Sequence, residues 1–145
     1  MATVGQVSQY TDTKLKTGQT YYYKIRTVTT DPKTGLSSVS TFTTEKSAVP
    51  SLDKPVIKTI GTGKKAVTLK WGKVSGANGY KVYRATKKNG KYKSIKTISN
   101  GKTLSFKNTK LKKGQKYYFK IRAFRNVSGK LVYSSYSAVK YIKVK

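Results

Sequence analysis

The feature that most limits how this chain can fold is an internal repeat with a period of about 96 residues. Residues 13–28 read TKLKTGQTYYYKIRTV and residues 109–124 read TKLKKGQKYYFKIRAF, with 11 of 16 positions identical. Beyond this core, we expect residues 37–40 to align with residues 134–137. Such a period is too long for a solenoid unit of roughly 20–50 residues. It is typical of small domains arranged in tandem.

The repeat also predicts where the modules begin and end. Counting back 96 residues places Met1 opposite Thr97, in the middle of a module. Residues 1–49 are then the C-terminal half of one module, and residues 53–145 are a complete one. Because prolines stand at positions 50 and 55, we interpret residues 50–55 as a short, stiff linker.

Hydrophobic residues alternate with polar ones along residues 53–145, as expected for half-buried β-strands. Asn-Gly pairs at 78–79, 89–90 and 100–101 favour turns with positive φ angles. Six or seven short strands predict an all-β, immunoglobulin-like antiparallel sandwich of two sheets. The predicted inward sets are Val67, Leu69 and Trp71; Tyr117, Phe119, Ile121 and Ala123; and, in the last strand, Val139, Tyr141 and Val144.

The composition argues against an enzyme. The chain has no histidine, no cysteine and only four carboxylate side chains, Asp12, Asp31, Glu45 and Asp53. General acid–base catalysis usually needs a histidine or a carboxylate with a perturbed pKa, whereas lysines beside these acids favour the ionised form. Zinc and redox sites lack their soft ligands. We therefore expect no catalytic residue, no metal site and no cofactor.

The net charge of +28 comes from 28 lysines and only four arginines. A chain this basic is attracted to polyanions such as anionic cell-wall polymer, sulfated glycan or nucleic acid. Lysine behaves as a hydrated point charge, while arginine makes the planar contacts used to read bases. The charge thus favours solubility or loose adhesion to polyanions, with nucleic acid bound non-specifically by charge alone.

The sequence carries no sign of a membrane segment. No apolar run approaches the roughly 20 residues needed to span a bilayer, and the first residues lack the pattern of a secretory signal. Two interpretations remain at this point: a cytosolic chain, or an excerpt of a longer protein whose signal lies upstream.

Three segments resemble the fibronectin type III family. The run from Leu111 through Gly114 to Tyr117 resembles the family's signature before strand F, and Trp71 is similar to its core tryptophan on strand B. Residues 79–85, GYKVYRA, resemble strand C of bacterial members. The resemblance implies that Leu111, Gly114, Tyr117 and Trp71 are structural and that the Tyr117 hydroxyl bonds back to the preceding turn. It also implies that residues 1–49 form strands E, F and G.

Strand alternation also predicts one candidate contact surface. If Tyr117, Phe119 and Ile121 face inward, then Tyr118, Lys120, Arg122 and Phe124 face outward, and Lys81 and Tyr83 join them from strand C. Aromatic and basic side chains together can stack sugars or bases. The alternative is that they only pack against each other as cross-strand and cation–π pairs. The predicted contact residues are Lys81, Tyr83, Tyr118, Lys120 and Arg122.

Together these patterns favour a non-catalytic extracellular spacer or adhesion module of a modular bacterial surface protein. Its partners would be neighbouring modules and anionic cell-wall polymer or glycan. The alternative is a carbohydrate-binding or accessory module of a secreted polysaccharide-degrading enzyme. For residues 1–49 three outcomes stay open: a frayed segment, docking on the complete module, or pairing with a second chain in a strand-exchanged homodimer.

Overall fold

The computed structural model describes residues 2–145, which form two compact units divided between Pro50 and Ser51. The N-terminal unit has four short strands. They are β1 (Tyr21–Tyr23), β2 (Val28–Thr30), β3 (Ser37–Val39) and β4 (Lys46–Ala48). Strand β1 pairs antiparallel with β4, and β2 pairs antiparallel with β3. No opposing sheet covers these strands within the unit, and their side chains are mostly exposed.

The C-terminal unit is a sandwich of two antiparallel sheets, which confirms the predicted fold class. One sheet has the order β5-β6-β9, and the other has the order β11-β10-β7-β8, with β12 also paired to β10. The strands are β5 (Ile57–Gly63), β6 (Ala66–Trp71), β7 (Gly79–Ala85), β8 (Lys93–Ile98), β9 (Ser105–Asn108), β10 (Lys116–Val127), β11 (Lys130–Tyr133) and β12 (Lys140–Lys143).

The core lies between these two sheets and is built by the alternation seen in the sequence. All of the predicted inward residues of β6 and β10 are buried, which confirms both sets. Trp71 packs edge-on against Tyr80, with ring centroids 5.4 Å apart. The Tyr80 hydroxyl accepts a hydrogen bond from the backbone nitrogen of Val74 at 3.0 Å, so this buried phenol is satisfied.

The prediction for the last strand was wrong at two of its three residues. Val139 is 38% exposed and Tyr141 is 60% exposed, while Val144 is buried. Tyr141 pairs with the outward-facing Tyr118, and Ile142 pairs with the inward-facing Tyr117. The register changes before β12, where Ser134 and Ser137 interrupt the ladder between the strands.

These two serines explain the interruption in detail. The backbone nitrogens of Ala123 and Ile121 donate to the side-chain oxygens of Ser134 and Ser137, at 2.9 and 3.0 Å. The same serines donate their own backbone N–H groups to the carbonyls of Ala123 and Ile121. A hydroxyl therefore replaces a carbonyl as acceptor at two points. The strand leaves regular pairing there, while the four amides of Ile121, Ala123, Ser134 and Ser137 stay bonded.

The N-terminal unit has the same hydrogen bonds from backbone amides to side-chain hydroxyls. They correct the expected alignment of residues 37–40 with residues 134–137. Ile25 N donates to Thr43 Oγ1 at 3.1 Å, and Thr27 N donates to Ser40 Oγ at 3.0 Å. Ser40 therefore corresponds to Ser134, an offset of 94 residues, and residues 37–40 do not align with residues 134–137. The shift arises because the hairpin between β2 and β3 is two residues longer than the hairpin between β10 and β11.

The strand E expected within residues 1–49 is absent, since residues 2–20 contain no strand. In the C-terminal unit the corresponding segment is β9, and it is held by pairing with β6. The N-terminal unit has no strand equivalent to β6 within its described residues. Residues 9–12 thus lack the neighbour that would order them as a strand.

The predicted positive φ angles do not occur at the glycines of the three Asn-Gly pairs. The glycines with positive φ in the C-terminal unit are Gly76, Gly114 and Gly129, and not Gly79, Gly90 or Gly101. Gly79 and Gly101 are instead required because a Cβ atom there would collide with the carbonyl oxygens of Ile98 and Ala77. Close approach of two backbones therefore explains these two glycines.

Candidate functional site

The structure places all five predicted contact residues on the outer face of the β7–β10 strand pair. Lys120 lies opposite Tyr83, and Arg122 lies opposite Lys81. Tyr118 lies on the same face, nearer the start of β10. The long antiparallel pairing of β7 with β10 fixes this arrangement, because alternate residues of both strands point to the same side of a sheet.

The centre of this face is covered by the chain itself. Arg122 Cζ lies 3.7 Å from the centroid of the Tyr133 ring, and Lys120 Nζ lies 3.9 Å from that of Tyr136. Lys120 also stands 4.5 Å from the ring of Tyr92. We call the set Tyr83, Tyr92, Lys120, Arg122, Tyr133 and Tyr136 the outer cluster. Its cations are held over aromatic rings within the unit, as cation–π geometry requires.

Two residues that were expected to be exposed on this face are buried. Tyr83 is only 8% exposed, and its ring packs edge-on against Tyr136 at 5.2 Å. Phe124 also points outward, but it is buried against Tyr133, with centroids 6.1 Å apart. Alternation gives the direction of a side chain correctly here. It does not reveal that tyrosines from the segment after β10 fold over it.

Three members of the outer cluster were not predicted from the sequence: Tyr92, Tyr133 and Tyr136. A signal for Tyr136 exists in the repeat, because the corrected offset of 94 aligns it with Phe42. Arg26 Cζ lies 4.9 Å from the Phe42 centroid, and Arg122 Cζ lies 5.3 Å from that of Tyr136. The same arginine–aromatic pair thus occurs in both units, as is typical of packing within a fold.

The remaining predicted residues lie at the margins of the outer cluster. Tyr118 stacks in a tilted arrangement on Tyr141 at 5.5 Å, and Lys116 Nζ stands 5.4 Å from the Tyr141 centroid. Lys81 lies between Arg122 and Thr97 in the sheet and is half-buried. Tyr141 is the more exposed ring of the stacked pair.

Burial changes the acidity of two phenols in the outer cluster. Desolvation, followed by a hydrogen bond with Tyr136, raises the pKa of Tyr83, and the nearby charge of Arg122 opposes this change. Desolvation also raises the pKa of Tyr92. Both changes favour the neutral phenol over the phenolate.

The four residues predicted to be structural lie in the core, in β10 or in the turn before β10. Trp71 and Leu111 are buried in the core, and the Tyr117 hydroxyl accepts a hydrogen bond from Lys112 N at 3.2 Å. Gly114 adopts φ 77° and donates its N–H to the carbonyl of Val144 at 2.8 Å. A side chain would strain that left-handed conformation.

The charge is concentrated in the C-terminal unit. Residues 51–145 contain 23 lysines and three arginines but only one carboxylate side chain, Asp53. Within this fully described unit no lysine or arginine forms a salt bridge. In the N-terminal unit Lys24 and Glu45 form an exposed pair at 3.7 Å. No carboxylate side chain of the C-terminal unit therefore neutralises these ammonium groups, whose charge is screened by solvent and counterions.

Neither a metal centre nor a membrane helix occurs among residues 2–145. They contain no group of three or more His, Cys, Asp or Glu side chains that could hold a metal ion. They also contain no helix long and apolar enough to cross a membrane.

The family model described as "Fibronectin type III domain SaeA third domain" matches residues 58–142, more than half of the chain. The chain belongs to the fibronectin type III domain family. The match includes β6, β7 and β10, and it ends within β12.

Three similar proteins are much longer chains that carry the names of enzymes. The chain is 36% identical over 74 residues, 51% of its length, to an amylopullulanase of Thermoanaerobacterium saccharolyticum, of which the match spans only 6%. A β-1,2-glucanase from Parabacteroides distasonis matches with TM-score 0.58 and 18% identity, covering 67% of this chain and 13% of that one. The pectate lyase PelI of Erwinia chrysanthemi matches with TM-score 0.50 and 18% identity, covering 61% and 27%. The two structural matches show the fold alone.

Proposed function

We propose that this chain is a non-catalytic extracellular accessory module that spaces neighbouring domains and associates loosely with polyanions. The observation that carries the proposal is the unpaired charge of the C-terminal unit. It has 26 basic residues but only one carboxylate side chain, Asp53, and none of the basic residues forms a salt bridge. A surface of this kind attracts anionic cell-wall polymer or glycan without a shaped site.

The relatives favour a setting for this module. Amylopullulanase is named for action on polysaccharides, and it contains a segment that is 36% identical to this chain over 74 residues. This similarity supports the alternative function given above, an accessory module of a secreted polysaccharide-degrading enzyme. A spacer that binds an anionic surface would be useful in a secreted polysaccharide-degrading enzyme and in a cell-surface protein alike.

The outer cluster argues against direct binding of neutral sugars. A sugar ring needs an accessible aromatic face, whereas Tyr133 and Tyr136 already lie under Arg122 and Lys120. Removing those cations from the rings would cost about 0.5–2 kcal/mol each. Two rings in this region are exposed, Tyr141 at 60% and Tyr136 at 40%. Only the Tyr141 ring lies outside the outer cluster, and a single ring is a poor platform.

The test is binding of the whole chain to a panel of polymers across a salt series. The panel contains teichoic-acid-bearing cell wall, wall stripped of teichoic acid, heparin, duplex DNA and an uncharged polysaccharide. We expect every polyanion to bind and the logarithm of the affinity to fall linearly with the logarithm of salt concentration. The uncharged polysaccharide should not bind.

Two variants separate charge from aromatic stacking. Replacing the exposed Lys87, Lys88, Lys112 and Lys113 with glutamine should flatten the salt dependence for every polyanion. Tyr141→Ala is the matched control and should leave it unchanged. Binding of the uncharged polysaccharide that survives high salt and is lost in Tyr141→Ala would overturn the proposal in favour of a carbohydrate-binding module.

A further inference from the structure

We propose that one end of the C-terminal sandwich is the site at which the chain binds a flexible phosphodiester polymer of the teichoic-acid class. Three loops at this end carry eight lysines and no carboxylate side chain, and we call these lysines the lysine end. They are Lys64, Lys65, Lys87, Lys88, Lys91, Lys110, Lys112 and Lys113. The inference rests on the function proposed above and assigns it to one region of the surface.

Strand pairing and hydrogen bonds bring the three loops together. The loops are residues 64–65 between β5 and β6, 86–92 between β7 and β8, and 109–115 between β9 and β10. Leu111 N donates to the carbonyl of Lys65 at 3.0 Å, which joins the first loop to the third. Between the two sheets, Arg84 Nη1 donates to Asn108 Oδ1 at 2.9 Å. Because β7 also ends beside the start of β10, the second loop lies at the same end.

The loops at the opposite end of the sandwich carry much less charge. They are residues 72–78, 99–104 and 128–129, and they contain two lysines, Lys73 and Lys102. The segment before β5 adds Lys54, but Asp53 offsets this charge. The loops of a sandwich cluster at its two ends, so the C-terminal unit is electrostatically polar along its length. A polyanion is attracted most strongly to the lysine end.

Two lysines at this end have backbone conformations that disfavour lysine. Lys65 adopts φ 50° and Lys110 adopts φ 57°. Turn positions with positive φ are normally occupied by glycine or asparagine, because a longer side chain raises the energy there. Lys14, the counterpart of Lys110 in the N-terminal unit, adopts φ 61°. Strain of this kind is concentrated at functional sites, so it supports a binding role for these ammonium groups.

The side chains of the three loops determine the chemistry of the partner. Their cations are all ammonium groups, which bind phosphate as point charges and lack the planar fork of arginine. The aromatic residue of these loops, Tyr92, is half-buried, and its ring already contacts Lys120 at 4.5 Å. Without a free ring that stacks a base or a sugar, recognition depends on charges along the partner's backbone.

The position of the loops favours a flexible polymer over a rigid one. The loops come from both sheets, and packed sheets lie about 10 Å apart. A flexible phosphodiester chain can pass from one loop to the next across this end. A rigid duplex reaches fewer of the lysines at once. We therefore expect more phosphate contacts with teichoic acid than with duplex DNA.

The experiment measures binding of dye-labelled poly(glycerol phosphate) teichoic acid to the full-length chain by fluorescence anisotropy across a salt series. One variant replaces lysines of the lysine end with glutamine, at Lys87, Lys88, Lys112 and Lys113. The matched control replaces four exposed lysines outside it with glutamine, at Lys54, Lys73, Lys102 and Lys130. Both variants have the same net charge. We expect the first to weaken binding at low salt by at least tenfold and the control to weaken it by less than threefold.

The two strained lysines allow charge and stability to be separated. Lys65→Asn and Lys110→Asn each remove one charge and place a residue that tolerates the left-handed conformation. We expect each to weaken teichoic-acid binding by about twofold or more while raising the temperature of thermal unfolding. Unchanged binding in both variants would contradict a role for these two ammonium groups.

The outcomes distinguish this proposal from the one on which it rests. Equal weakening by the four-lysine variant and its control would overturn the lysine end and leave the proposed function standing. Absence of binding of the unaltered chain to any polyanion would overturn both. The number of phosphates contacted follows from the salt slope, and an equal or larger number for duplex DNA would overturn the flexible partner. Circular dichroism of each variant checks that its strands remain formed.

Discussion

The hydroxyl of Tyr117 is a single atom on which a whole turn depends. It accepts the hydrogen bond of Lys112 N, and the ring that carries it lies beneath the guanidinium of Arg84. We expect Tyr117→Phe to destabilise the C-terminal unit by about 1–3 kcal/mol, the cost of leaving a partly buried backbone donor without a partner. Urea unfolding followed by tryptophan fluorescence measures the change. Tyr118→Phe removes a hydroxyl from the opposite face of the strand and should change stability by less than about 0.5 kcal/mol.

The raised pKa of Tyr83 predicts a loss of stability in alkali. Because the folded pKa lies above that of the unfolded chain, the contribution of this phenol is complete below the ordinary tyrosine pKa of about 10. It is lost as pH rises through the folded pKa. Urea unfolding at rising pH should show this loss, and Tyr83→Phe should reduce it. In Tyr141→Phe, where the ring is exposed, the loss should remain.

At the scale of the strand, two glycines hold β7, β8 and the turn before β7 close together. A Cβ atom at Gly79 would meet the carbonyl oxygen of Ile98 and the ring of Phe124. Gly79→Ala and Gly101→Ala should each destabilise the unit by about 1–3 kcal/mol through overpacking. Gly61→Ala in β5 is the control, since nothing lies within 4 Å and φ is not positive there. It should be neutral or stabilising in the same thermal unfolding assay.

The sequence was most informative where one strand face is wholly buried. In β6 and β10 each inward position is apolar, so alternation identified Leu69, Trp71 and Ile121 directly. It failed for β12, because the hydroxyls of Ser134 and Ser137 take over backbone hydrogen bonding and change the register. The alternation of apolar and polar residues cannot reveal that a serine hydroxyl accepts a hydrogen bond in place of a carbonyl of the neighbouring strand.

The candidate site was predicted in direction but not in exposure. Pairing of β7 with β10 brings Lys120 and Arg122 to one face, as alternation implied. The rings of Tyr133 and Tyr136 come from beyond the end of β10, and only the three-dimensional path of the chain places them over that face. The interpretation as mutual packing therefore accounts for the outer cluster better than an open stacking platform does.

Over the whole molecule, burial is distributed unequally between two copies of the same design. The amides of Ile25 and Ile121 make the same kind of bond, at 3.1 and 3.0 Å, but only Ile121 is buried. Local opening can cost from about 0 up to the global stability of about 5–15 kcal/mol. Hydrogen exchange measured by NMR should be more than about 100-fold faster at Ile25. Equal rates would contradict the unequal cover seen in the two units.

The likeness of β10 to the segment around β1 also affects how the chain reaches its native state. Two stretches with 11 of 16 residues in common compete for the single edge of β7 while the chain is still unfolded. Pairing of β7 with residues 22–28 would give a non-native strand pair that must separate before β10 can dock. A tandem array of such modules therefore benefits from sequence divergence between neighbours, and a chain that keeps them alike refolds through a trap.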